Sequence, residues 1–208
     1  MLHRHERAWP LQSAHPRARS AEGSPLSFEA RFCLSCGTGL RLISADEDGG
    51  PKERLRCPSC GWTHWNNPTP VLAGIVECAD KDGLVLLARN AAWSGRMFAL
   101  ITGFMEAGET PQEGIAREVA EETALQVDEL NLIGVYDFQR MNQLIVAYHA
   151  VARGEVRLSP ELAEYKFFAP AEVRCWRAGT GYALADWLRS RGHNRASSRC
   201  RLATRIVP

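Results

Sequence analysis

The chain has 208 residues, 45% of them hydrophobic, and a formal net charge of +1, which suits one solid domain with its own core plus a small accessory module. A balance so near neutrality argues against bulk electrostatic binding to nucleic acid or to a membrane. No apolar run approaches the roughly 18 residues of a membrane span and the N-terminus lacks the apolar core of a secretory signal, so a cytoplasmic protein is expected.

Residues 1–28 are rich in Arg, His, Ser and Pro, show no hydrophobic period, and read as a disordered extension. Arg4, Arg7, Arg17 and Arg19 would suit a mitochondrial-type targeting peptide, but prolines together with Glu6 and Glu22 weaken that reading. Residues 29–66 carry the first strong motif, Cys33-Leu-Ser-Cys36-Gly followed by Cys57-Pro-Ser-Cys60-Gly. Two CxxC turns at this separation match a zinc ribbon, in which Cys33, Cys36, Cys57 and Cys60 supply four thiolates to a tetrahedral Zn²⁺. With every position filled by protein, such a zinc is structural. A redox CxxC would sit singly before a helix in a βαβ context, which is missing here. Asp46 to Pro51 reads as the exposed tip of a hairpin. A ribbon of this type serves as a folding staple, a dimer contact or a nucleic-acid binder, so a homodimer and a nucleic-acid partner both stay open.

The Asn66-Asn-Pro-Thr-Pro70 turn leads into residues 67–191, where the pattern becomes strand-like. Strands are expected at 71–77 and 84–89, joined by a turn at 80–83, and at 97–102. A helix then starts sharply: Thr110 caps it, Pro111 takes the first position, and Glu113 completes a capping box. Ile115, Ala116, Val119 and Ala120 form its apolar side, leaving Glu118, Glu121 and Glu122 to project together from another face. Like charges at these spacings repel by roughly 0.2–0.5 kcal/mol per pair, so the cluster asks for a hard cation such as Mg²⁺ or Mn²⁺. Further strands are expected at 132–138 and 144–152. A polar loop from Glu161 runs into a short strand at 167–168, and a helix follows from Tyr182 to about Arg191. The class is α/β with a mixed sheet. Residues 192–208 carry arginines without acids and read as a disordered tail.

Gly103, five residues, Glu109, seven residues, then Arg117-Glu-Val-Ala-Glu-Glu-Thr-Ala-Leu125 resembles the Nudix box, GX5EX7REUXEEXGU, with U aliphatic. The departure is Ala124, where the family has a glycine suited to a left-handed helix cap. The resemblance implies an α/β/α Nudix sandwich preceded by the zinc ribbon, and a Mg²⁺-dependent hydrolase of a nucleoside diphosphate linked to another moiety. It implies that Glu118, Glu121, Glu122 and the Gly103 carbonyl hold Mg²⁺ or Mn²⁺, while Glu109 and Arg117 brace the catalytic machinery. For the general base it points to Glu164, with Glu121 as runner-up. Arg89 and Arg96 flank the expected cleft and could grip phosphates. His149 is assigned no role, and Tyr136 and Phe138 read as core before base-stacking platforms.

A ribbon directly upstream of such a domain is similar to the NADH pyrophosphatase branch. That branch's SQPWPFPxS motif has no counterpart, since Val135 to Gln143 reads VYDFQRMNQ. The resemblance implies a small nucleotide substrate, a dinucleotide such as NADH or FAD, or ADP-ribose, and the missing motif leaves the flavin dinucleotide and ADP-ribose level with NADH. A hydrolase of capped RNA ends and a non-catalytic nucleic-acid-binding ribbon protein are the alternatives.

Overall fold

The computed structural model describes residues 30–193, so the readings for 1–28 and for the tail beyond His193 lie outside the described residues. The chain divides into two compact units, Met1–Asn66 and Asn67–Pro208. In the first, β1 (Arg41–Glu47), β2 (Gly50–Arg56) and β3 (Thr63–His64) form an antiparallel sheet in that order. The hairpin turns at Asp48 and Gly49, inside the expected tip.

The second unit is built on β4 (Thr69–Cys78). Its residues alternate between two cores. Leu72, Val76 and Cys78 face one cluster, while Val71, Ala73 and Ile75 face the other side. One edge of β4 pairs in parallel along its full length with β8 (Gln143–Arg153). The other edge is divided. Its C-terminal half pairs with β5 (Leu84–Asn90) and its N-terminal half with β6 (Ile101–Phe104), both antiparallel. β7 (Gln126–Phe138) lies outside β8, and β9 (Leu162–Phe168) lies outside β5. Helix α1 (Pro111–Thr123) packs Ile115 and Val119 onto one face of this mixed sheet. Helix α2 (Gly181–Ser190) packs Leu184, Trp187 and Leu188 onto the other, giving the α/β/α sandwich.

Several boundaries differ from the expected ones. The third strand is Ile101–Phe104, and before it only an Ala88–Ala99 bridge remains of the extended piece expected from 97. β7 begins at Gln126, six residues before the expected 132. β9 begins at Leu162, so Glu164 lies within a strand and not in a loop. In α1, Glu122 joins Ile115 and Val119 on the buried stripe while Ala120 is exposed. The reason is arithmetic: 115, 119 and 122 are separated by four and three residues, the spacing of one helical face.

Candidate active site

The site grows from the junction of β6 with α1. Thr110 accepts a hydrogen bond from the Glu113 amide, and the Glu113 carboxylate accepts from the Thr110 amide, so the expected capping box is complete. This fixes where the helix starts, and therefore which side chains reach back over β6. Arg117 is the hub. Its Nε and Nη2 donate to the two carboxylate oxygens of Glu109, each at 3.0 Å, in a bidentate fork. Nη1 donates to Glu118 at 2.8 Å and Glu121 at 3.0 Å, and Nη2 also reaches the Phe104 carbonyl at 3.2 Å. Glu109 in turn accepts from the Glu106 amide at 2.7 Å, which shapes the loop. These bonds hold the Glu109 carboxyl below its ordinary range, the Arg117 contact first among them.

Two glycines allow this closeness. A Cβ on Gly103 would fall 1.8 Å from the Glu118 carboxyl carbon, so only glycine lets that carboxylate lie against the strand. A Cβ on Gly114 would meet Glu109 at 2.5 Å and Leu72 at 2.4 Å. Gly103 belongs to the box pattern, whereas nothing in the sequence marked Gly114.

The last turn of α1 is completed by the loop after β8. The Ser159 amide donates to the Glu122 carbonyl at 3.0 Å and the Arg157 amide to the Thr123 carbonyl at 2.9 Å, satisfying carbonyls that a helix end leaves unpaired. The same loop brings Glu161 close enough to act on Glu122 electrostatically. Burial first, then Glu118, Glu161 and Glu121, push the Glu122 carboxyl up to about 7. A divalent cation is the charge that would keep such a group ionised. Hard oxygen donors, the cradle at Gly103 and this excess of negative charge all suit Mg²⁺ or Mn²⁺.

In the ribbon, all four cysteine sulfurs lie within 4.8 Å of one another, with contacts of 3.5 Å for Cys33–Cys60 and Cys36–Cys57. A tetrahedron with metal–sulfur bonds of about 2.3 Å has edges of about 3.8 Å, so the set fits zinc. Contacts with Thr38 lower the Cys36 thiol to about 6 whereas the crowding of neighbouring sulfurs raises Cys60 to about 11, so the four do not all ionise unaided and a bound cation is what would hold them as thiolates.

A family model described as the NUDIX domain matches residues 68–188, more than half of the chain. The chain belongs to the NUDIX family. It is similar to the "NAD-capped RNA hydrolase NudC" of Mycobacterium tuberculosis, with 35% identity over 150 residues covering 67% of this chain and 45% of that protein. The protein of the same name from Pseudomonas aeruginosa is 32% identical over 120 residues, 58% of this chain and 40% of its own. The chain therefore spans less than half the length of these curated relatives. The "NUDIX hydrolase from Nitrosomonas europaea" is a structural neighbour with TM-score 0.59 and 30% identity, covering 69% of this chain and 80% of that one.

Within this Nudix frame the expected residues separate. Gly103, Glu109, Arg117, Glu118, Glu121 and Glu122 converge on the β6–α1 junction. Glu164 stands opposite Arg89 in the β9–β5 register, 3.6 Å from its Nε and 3.3 Å from Lys166 Nζ. Arg96 is exposed in the connection between β5 and β6. Glu161, to which the sequence analysis gave no role, adds its charge to the upward push on Glu122, and its carbonyl accepts from the Ala91 amide at 2.7 Å at the start of that connection. Tyr136 is buried and donates to Asp186 at 2.9 Å, while Phe138 packs into the core beneath α2. His149 is buried too, bonded to Glu77 at 2.7 Å and packed against Trp187 with ring centroids 5.3 Å apart and the planes tilted by 35°.

Proposed function

We infer that the chain cleaves the diphosphate linkage of a nucleoside diphosphate joined to a second moiety, using Mg²⁺ or Mn²⁺. The observation that carries this reading is the Arg117 hub, which aligns Glu118 and Glu121 beside the buried Glu122 and the Gly103 backbone. Glu118, Glu121, Glu122 and the Gly103 carbonyl would hold the cations, with the charge of Glu161 nearby adding to their pull. When bound, the cations neutralise the diphosphate and acidify a water for in-line attack on phosphorus. Glu109 keeps Arg117 in place, and Arg117 keeps two carboxylates from drifting apart. Glu121, whose side chain is 61% exposed, takes the proton from the attacking water. Glu164, held by Arg89 and Lys166, is the second candidate for that role. Arg89 and Arg96 draw in the substrate phosphates, and four cysteines hold a structural Zn²⁺.

The substrate class is a dinucleotide such as NADH or FAD, or ADP-ribose. The names of the curated relatives favour a second reading, an NAD-capped RNA end, which presents the same diphosphate. Incubation with Mg²⁺ and a panel of NADH, NAD⁺, ADP-ribose, FAD and NAD-capped RNA tests both, with mononucleotide release as the readout. At least one should be cleaved only when the cation is present. Cleavage of none by metal-loaded protein would sink the reading. Glu121→Gln should lower kcat by about 10²-fold or more with little change in KM, and Glu164→Gln should lower it less. The reverse order would move the base to β9.

A further inference from the structure

The ribbon sheet has one face of unusual charge. In the β1–β2 register Arg41 stands directly opposite Arg56, and neither has a carboxylate partner among the described residues. Like charges directly opposite one another oppose strand pairing. Alternation along β2 puts Arg54 and Lys52 on the same face as Arg56. Glu47 answers those two, by a bidentate contact with Arg54 at 2.9 and 2.8 Å and a longer one to Lys52 at 3.6 Å. The Arg41–Arg56 pair is left uncompensated. Arg56 Nε donates to Thr63 at 3.0 Å, which fixes its guanidinium in place. Just beyond β3, Trp65 is 56% exposed, and its ring carries the Arg54 guanidinium 5.5 Å from the centroid.

We propose that this face of the ribbon, Arg41, Arg56, Arg54 and Lys52 with Trp65 beside them, binds single-stranded RNA. Four cations on this face against the single carboxylate of Glu47 leave it positive, and the uncompensated Arg41 and Arg56 lie across the pairing from each other, where a phosphate backbone supplies the missing negative charge. A solvent-facing indole already engaged with arginine offers a platform for a base, and stacking of this kind tolerates any sequence. The site lies in the first unit and stands independently of the hydrolytic reading of the second.

The test is fluorescence anisotropy of a labelled oligouridylate of about twelve nucleotides, titrated with zinc-loaded full chain across a salt series. Binding should weaken linearly in log salt. The slope should fall by about 0.7 for each arginine removed in Arg41→Gln and in Arg41→Gln/Arg56→Gln. Trp65→Ala should weaken binding about fivefold or more and leave the slope unchanged. Zinc content establishes that each variant keeps its ribbon, and cleavage of ADP-ribose should be unaffected, so this proposal and the hydrolytic one can fail separately. No binding at low salt, or an unchanged slope in a zinc-retaining double variant, overturns the proposal. Loss of self-association in the double variant without a change in RNA slope also overturns it and assigns the face to a second copy of the chain.

Discussion

At Ala124 the chain leaves helix α1 with φ 60° and ψ 12°, a left-handed conformation that an alanine side chain resists. This is the position where the box pattern carries glycine, and the backbone has kept the shape while losing the residue that makes it easy. Ala124→Gly should therefore raise unfolding stability by about 1 kcal/mol with no loss of activity, as read from urea midpoints. A destabilised variant would mean that the methyl makes a contact worth more than the strain. The box, the capping residues and the left-handed stop were all legible, because each is written in local spacing. Glu161 was not. Nothing near it in sequence is periodic, and its charge acts on Glu122 only because the loop after β8 folds back to cap the carbonyls of Glu122 and Thr123. Glu161→Gln should bring the Glu122 carboxyl down towards its ordinary value and raise the Mg²⁺ concentration needed for half-maximal activity. Unchanged metal dependence would remove Glu161 from the site.

The strands show where alternation fails as a guide. β7 is 13 residues long, yet its pairing with β8 shifts register between Val127 and Glu129 and again between Leu132 and Gly134. Each bulge inserts a residue and reverses which face the next side chain takes, so the six residues from Gln126 to Asn131, which contain the first shift, do not read as strand and the expected segment starts only at Leu132. β9 was hidden differently, since it is an edge strand whose charged Glu164 and Lys166 protect an exposed border and mimic a polar loop. Helix α2 is tied to the sheet by a charged cluster with its own pH dependence. Glu77 accepts from His149 and from Arg191, and Arg191 lies over the Trp187 ring. Burial lowers His149 below its ordinary 6.5, outweighing the pull of Glu77, so the folded protein keeps the ring neutral while the unfolded chain protonates it. Protons then favour the unfolded state, and stability present above about 6.5 should drain as the pH falls towards the lowered folded value. Comparing unfolding midpoints of the wild type and His149→Gln through that window isolates the effect. Parallel curves would show that His149 titrates alike in both states.

On the scale of the whole chain, the two units are held together by different physics. Among the described residues of the ribbon only Cys33 and Cys57 are buried, so it has almost no apolar core and depends on its thiolate cluster. The Nudix unit buries three hydrophobic clusters instead, the kind of core that holds a domain without a metal knot. Zinc removal by a strong chelator should open the ribbon to proteolysis while the unit from Asn67 onward keeps its melting transition; a single joint transition would contradict this. Composition and cysteine spacing announced both units, because a metal knot and a hydrophobic core leave different signatures. The divided edge of β4 has a consequence for how such a domain can change. β8 clamps one side of β4 from Thr69 to Cys78, while the other side forks between β5 and β6. The connection between β5 and β6 leaves and re-enters at that fork, where Trp93, Arg96 and Met97 are exposed. The register of β6 is set by its own pairing with β4, so a change in the length of this connection leaves the strand beneath the box in place.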